Sequence, residues 1–285
     1  MQYDILCFIQ GFSSDFSDAF FLAVTRIGEA YIPVAAVLIL YWCVNKDFGK
    51  TLFYAVLFSL CVNVSLKNII KLPRPDISSG IRQYKQYNDF SFPSGHTQNA
   101  SVTLVTLSAY SRKKPLYLLS AVLIFAVALS RLYLGVHFPA DVLCGFAVGA
   151  GVAMFSVFAY RKFGSGAEGK TAKTAFALNI STLAAVTALA LVSSSGEALS
   201  YCALFAGYTA GDAAERRFVR FETAGLSVIK KITRALIGSL LIFAEYMLIS
   251  LLLPDGDLVF SFMCFILSFT AAGLYPAAFR RLRLI

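Results

Sequence analysis

The sequence predicts an all-α fold: a polytopic transmembrane helical bundle of about nine spans. Three observations predict it. Of 285 residues, 58% are hydrophobic and only 14% are charged, where a soluble domain carries about 25% charge. The mean hydropathy of +0.70 is too high for a large soluble core. Apolar runs long enough to cross a bilayer, at about 20 residues each, recur along the whole chain.

Residues 1–16 read as a short amphipathic lead-in, with Ile5, Leu6, Phe8, Ile9 and Phe12 on one helical repeat. Spans are then expected at 18–44, 51–71, 95–110, 116–133, 141–160, 174–193, 198–212, 232–253 and 258–279, the third and seventh being short. Met1-Gln2-Tyr3-Asp4 lacks a basic n-region, and no small-residue cleavage site follows. The first span is therefore expected to be its own insertion signal. The glycine-rich, basic stretch 161–173 reads as a cytoplasmic linker. It divides a catalytic core with five spans (1–160) from a C-terminal four-span region (174–285). Tyr41 and Trp42 read as an interfacial aromatic belt. Arg26 and Glu29, three apart, are expected to pair, with a role near the catalytic pocket as the alternative, since this half of the span should lie outward. Glu245, inside the eighth span, must find its partner on another helix.

Charge sets the orientation. Of the 25 Lys and Arg, 18 fall in loops on one face of this nine-span layout. The positive-inside rule makes that face cytoplasmic, with the N-terminus outside and the C-terminus inside. The other seven are Arg26, Lys67, Lys71, Arg74, Arg82, Lys85 and Arg131. Positive charge kept on the unfavoured face suggests a task there, and phosphate binding is the natural one. The net charge of +9 does not point to nucleic acid, because the basic residues cluster between apolar segments as topology requires. The six cysteines are scattered, with no C-x2-C pair, so neither a zinc site nor a disulfide framework is expected.

Both histidines of the chain lie in motifs suited to phosphate chemistry. Lys67 to Pro75 reads K-x6-RP, residues 93–96 read PSGH, and Ser130 to Asp141 reads SR-x5-H-x3-D. Phosphoryl transfer needs a nucleophile, a proton donor for the leaving oxygen, and positive charge around the other oxygens. If His137 and Asp141 share a helical turn, the carboxylate can fix the imidazole tautomer and leave the other ring nitrogen free to attack phosphorus. Ser94 and Gly95 stand at a candidate helix start, where backbone N–H groups bind anions. His96, in the same place, can protonate the leaving alkoxide. Lys67, Arg74 and Arg131 are candidates to surround the phosphoryl oxygens.

This ordered trio resembles the type 2 phosphatidic acid phosphatase family, which also includes glucose-6-phosphatase and the vanadium haloperoxidases. The resemblance covers about residues 60–145, and no matched motif position departs from it. It implies a histidine nucleophile at His137, a histidine acid at His96, an orienting Asp141 and a basic clamp of Lys67, Arg74 and Arg131. It implies no metal and no cofactor, and no His–carboxylate cluster at ligand spacing lies outside these residues. The nine-span layout is similar to that of glucose-6-phosphatase and the sphingosine-phosphate phosphatases. The expected activity is hydrolysis of a membrane lipid phosphate or diphosphate, in a bacterial plasma membrane, with the site facing outside. Undecaprenyl diphosphate, phosphatidic acid, phosphatidylglycerol phosphate and a sphingoid-base phosphate are the candidate substrates. A lipid phosphotransferase would use the same residues. A transporter or lipid flippase would rest on Glu245 and Arg26. The sequence specifies no oligomeric state.

Overall fold

The computed structural model describes residues 2–77, 80–163, 196–284 and the pairs 181–182, 184–185 and 187–188. Among them the chain is all helical, with no strand. The helices are α1 (Gln2–Gln10), α2 (Asp15–Thr25), α3 (Tyr31–Ile39), α4 (Lys46–Ile70), α5 (Gly95–Ser111), α6 (Lys114–Tyr133), α7 (Pro139–Phe163), α8 (Gly196–Ala214), α9 (Val228–Leu252), α10 (Asp257–Phe269) and α11 (Tyr275–Arg281). Five helical stretches are long and apolar enough to cross a membrane, or six if the sharply bent pair α1 and α2 counts as one. The stretch expected as a span at 174–193 falls largely outside the described residues, as does the linker beyond residue 163.

The expected first span, 18–44, is not one helix. It breaks after α2 into a 3-10 turn, Arg26–Gly28, and an extended Glu29, then resumes as α3 and a π-helical turn, Leu40–Val44. Gly28 lets the broken stretch pack closely against α5. A β-carbon there would lie 2.6 Å from the His96 carbonyl oxygen, so only a glycine lets this turn approach the start of α5.

Two compact units emerge: residues 1–34 with 51–159, and residues 35–50 with 160–285. In the first, α5 is the central helix, and its buried face is polar rather than apolar. Gln98 receives a hydrogen bond from Asn63 of α4 at 2.8 Å and donates to the Ser59 carbonyl at 2.7 Å. Such a network is stable in an apolar setting because its polar groups find protein partners. Gly145 and Gly149 of α7 lie one turn apart against α5. A β-carbon on either would come within 2.6 Å of the Ser94 or the Gln98 carbonyl. This is small-residue packing, in which backbones approach without side chains between them.

The second unit is built around Trp42 and Arg234. Tyr41 and Trp42 are buried, not interfacial. The Trp42 indole donates to the Ala271 carbonyl at 2.9 Å and the Tyr41 hydroxyl to that of Ala272 at 3.0 Å. Both carbonyls lie in a second π-helical turn, Thr270–Leu274. π turns misalign the backbone ladder and release carbonyls, and here two aromatic donors take them up. Arg234 has no exposed surface, and it donates to the carbonyls of Trp42, Glu222 and Leu284 between the rings of Phe221 and Phe279. Lys46 pairs with buried Glu215, and Lys50 with Asp212 at 2.5 Å. Glu245 accepts hydrogen bonds from Thr270 at 2.7 Å and from Tyr275. A structural hydrogen-bond role accounts for it.

Candidate active site

The sequence-predicted residues meet where four helices of the first unit begin or end. Lys67 lies in the last turn of α4 and Arg131 in the last turn of α6. Ser94 caps the start of α5, followed by Gly95 and His96, and Asp141 lies in the first turn of α7. His137 sits just before α7, outside any helix. An antiparallel bundle brings these ends together, and the Ser94 N–H donates to the Asp141 carbonyl at 3.0 Å across the join.

His137 is buried, and both its ring nitrogens are occupied. Nε2 lies 3.2 Å from Nη1 of Arg74, which can only donate, so Nε2 carries the lone pair and Nδ1 the proton. Nδ1 lies 3.4 Å from Oδ2 of Asp141 but 3.2 Å from the hydroxyl of Ser91. Ser91 in turn donates to the same Asp141 oxygen at 2.5 Å. The direct helical-turn contact expected from the spacing is thus long, because His137 precedes the helix, and Ser91 completes it. Asp141 also accepts from the Phe138 N–H at 2.8 Å, a bond that holds the turn carrying the histidine. Burial pushes the His137 pKa well below its ordinary value, and the cations of Arg131, Arg74 and Lys67 add to this. The ring is neutral at pH 7.

His96 faces Glu29. Their Nε2 and Oε1 atoms are 3.3 Å apart, although not aligned for a hydrogen bond. The expected Arg26–Glu29 pair does not form among the described residues, since the break after Gly28 turns Glu29 toward the site. The N–H groups that open α5 carry no side-chain cap among the described residues. A helix start with open donors suits an anion. Ser94 differs from its followers: its N–H is engaged by Asp141, and its buried hydroxyl accepts from Thr97 at 3.2 Å.

The cations are held by the connection between α4 and α5. Asp89 pairs with Lys67 through one oxygen and with Arg74 at 2.6 Å through the other. Tyr87 lies beneath three cations: its ring centroid is 4.4 Å from Arg74, 5.0 Å from Lys85 and 5.4 Å from Arg131. Its hydroxyl receives a hydrogen bond from Arg131 at 3.1 Å. Arg131, 1% exposed, also donates to Thr25 at 2.8 Å, while its Nε has no hydrogen-bond partner among the described residues. Arg74, Lys85, Tyr87 and Val136 border a cavity of about 200 Å³. The loop is clamped from the N-terminal side. Gln10 exchanges two hydrogen bonds with the Arg82 backbone, at 2.7 and 3.0 Å. Asp18 accepts from Arg82 at 2.9 Å, from Tyr84 at 2.5 Å and from Tyr133.

Sequence reasoning therefore missed Tyr87, Asp89 and Ser91, and it paired Glu29 with Arg26 where the structure sets it against His96. The charge of Glu29 within an apolar stretch and the short distance of Ser91 from the PSGH run were the available signals. Among the described residues no group of three or more His, Cys, Asp or Glu is placed to hold a metal ion.

A family model for the PAP2 superfamily matches residues 48–165, which include every motif, and one for the PAP2 superfamily phosphatase transmembrane extension matches 199–285. The chain belongs to the PAP2 superfamily. Within it, the chain is 36% identical over 97 residues to phosphatidylglycerophosphatase B of Bacillus subtilis, covering 31% of this chain and 46% of that protein. It is 30% identical over 138 residues to undecaprenyl-diphosphatase of Sulfolobus acidocaldarius, covering 47% and 66%. The chain thus spans less than two thirds of the length of either relative. The crystal structure of LpxE from Aquifex aeolicus superposes with a TM-score of 0.51 at 26% identity, covering 54% of this chain and 93% of that one. In this PAP2 member the transmembrane extension matches most of the described part of the second unit, and the motifs all belong to the first.

Proposed function

We propose that this protein is an integral-membrane lipid phosphatase that hydrolyses a phosphate or diphosphate monoester through a phosphohistidine, without a metal. The observation that carries the reading is the state of His137: Nδ1–H is directed to Ser91 and Asp141, and the Nε2 lone pair is directed to Arg74. An Nε2 lone pair beside a guanidinium suits in-line attack on a phosphorus whose oxygens that guanidinium would clamp.

In this mechanism Nε2 of His137 forms the P–N bond as the P–O bond to the lipid breaks. Protonated His96 gives its proton to the departing alkoxide, with Glu29 stabilising the imidazolium beforehand. Water then attacks the phosphohistidine, neutral His96 takes a proton from it, and the P–N bond breaks to release phosphate and His137. Lys67, Arg74, Arg131 and the N–H groups from Gly95 onward balance the charge of the equatorial oxygens; Ser94 serves by tying α5 to α7.

The substrate class is a membrane lipid phosphate: undecaprenyl diphosphate, phosphatidic acid, phosphatidylglycerol phosphate or a sphingoid-base phosphate. The names of relatives support the first, the third and the last of these. The nine-span topology, with the N-terminus outside, the C-terminus cytoplasmic and the site on the outer face of a bacterial plasma membrane, is supported by the distribution of basic residues.

The test is phosphate release by purified protein in detergent with EDTA, from a panel of these lipids, with His137→Ala alongside. Turnover by the wild type alone is expected, with phosphate on His137 after acid-free quench. Phosphate moved to an acceptor lipid with none released would replace hydrolysis by phosphotransfer. Activity surviving in His137→Ala would overturn the assignment of the nucleophile.

A further inference from the structure

We infer that Asp89 is an internal competitor for the substrate phosphate: its carboxylate occupies the Lys67–Arg74 cradle, and a phosphate binds by displacing it. The inference rests on the phosphatase reading of the site. It goes further by giving a loop carboxylate control over how tightly phosphoryl groups and released phosphate are held.

The geometry is that of an anion already bound. One Asp89 oxygen takes the Lys67 ammonium and the other the Arg74 guanidinium at 2.6 Å. Two oxygens on one centre, each engaging a separate cation, is also how a phosphoryl group would engage them. The place is the reacting one, because Arg74 reaches Nε2 of His137 at 3.2 Å through its other terminal nitrogen. Burial raises the Asp89 pKa, but Lys67 and Arg74 outweigh it and hold the carboxyl below its ordinary value, so it competes as an anion.

The carboxylate can also leave. The Asp89 side chain is 50% exposed, whereas those of Lys67 and Arg74 are 12% and 10% exposed. The cations are fixed and the anion faces outward. Arg74 Nε separately donates to the Asp89 backbone carbonyl at 3.1 Å. A rotation about the Asp89 side-chain bonds would therefore free both cations while the backbone bond keeps the loop in register. Water would solvate the released carboxylate. A phosphate dianion, carrying more charge and a third oxygen for the helix start, is the stronger ligand of the two.

The rival account is a plain structural ion pair, in which Asp89 only positions Lys67 and Arg74. The two differ in sign. The probe is inorganic phosphate, titrated calorimetrically into purified wild type, Asp89→Asn and Asp89→Ala in detergent. Turnover of a lipid phosphate is measured on the same samples. Competition predicts phosphate binding about tenfold tighter in both variants, the scale of one charge-assisted interaction released. It also predicts stronger product inhibition. Unchanged or weaker phosphate binding in variants that still turn over would overturn the inference and leave the phosphatase reading intact. Tighter phosphate binding in protein with no lipid turnover would support the cradle and sink the phosphatase reading. A wild type that neither binds phosphate nor turns over would overturn both.

Discussion

The carboxylate of Glu29 stands 3.3 Å from Nε2 of His96, across a glycine contact that admits no larger residue. In the proposed mechanism a carboxylate so placed would favour the imidazolium form that protonates the leaving alkoxide. Glu29→Gln is expected to slow hydrolysis of a lipid alkyl phosphate by about a hundredfold, the lower range for general-acid catalysis. An aryl phosphate such as p-nitrophenyl phosphate, whose leaving group needs no proton, should be slowed far less. Equal loss on both substrates would assign Glu29 a merely structural role.

Gly28 makes that approach possible. In Gly28→Ala the new methyl would meet the backbone of His96 at 2.6 to 2.9 Å, and backbone cannot rotate away. Overpacking of this kind costs about 1–3 kcal/mol. A lower melting temperature together with a lower kcat is the expected result; an unaltered kcat would show that His96 tolerates displacement.

Ser91 relays between His137 and Asp141. Removing its hydroxyl in Ser91→Ala leaves the 3.4 Å contact alone to orient the ring. A kcat reduced by about 10- to 100-fold is expected, the scale found when the partner orienting a metal-bound imidazole is lost. Phosphate affinity, read by titration, should hold, since Ser91 touches neither Lys67 nor Arg74 directly.

His137 has a depressed pKa, chiefly through burial, so its uncharged form persists below the ordinary histidine range. The sign follows: protonation removes the Nε2 lone pair, and it occurs only at pH well under about 6.5. The rate of phosphohistidine formation, measured by rapid quench against pH, should show no inflection near 6.5 attributable to the nucleophile. A clear loss of rate on acidification through 6.5 that persists when His96 is replaced would contradict this.

Arg234 supports the second unit by donating to three backbone carbonyls. Arg234→Leu would strand them in an apolar setting, at about 1–3 kcal/mol for each unsatisfied group. Thermal unfolding in detergent should shift down by several degrees or more, and Arg234→Lys, lacking the fork, should recover only part of the loss.

Much of the site was legible because its chemistry falls on rare residue types at fixed spacing. Two histidines in 285 residues, each within a basic or carboxylate-bearing motif, leave few alternatives. Helices were legible because long apolar runs in a bilayer have no other way to satisfy their backbone. The residues that escaped notice carry no such signal. Ser91 and Asp89 are ordinary polar residues in a loop. Tyr87 is one of 14 tyrosines. Trp42 followed the compositional rule for interfacial aromatics, yet its indole is consumed by a π-turn carbonyl.

By itself the sequence determined the helical class, the predominance of membrane-length apolar segments and the set of residues able to perform phosphoryl chemistry. Hydropathy and motif spacing are local properties, and they survive in one dimension. Tertiary structure alone decided that 18–44 breaks to aim Glu29 at His96, that Ser91 bridges the His137–Asp141 gap, and that Asp89 sits in the cationic cradle. It also decided that residues 35–50 join 160–285. These outcomes depend on which helix ends meet and how closely backbones approach, and that is settled by packing between residues far apart in the chain.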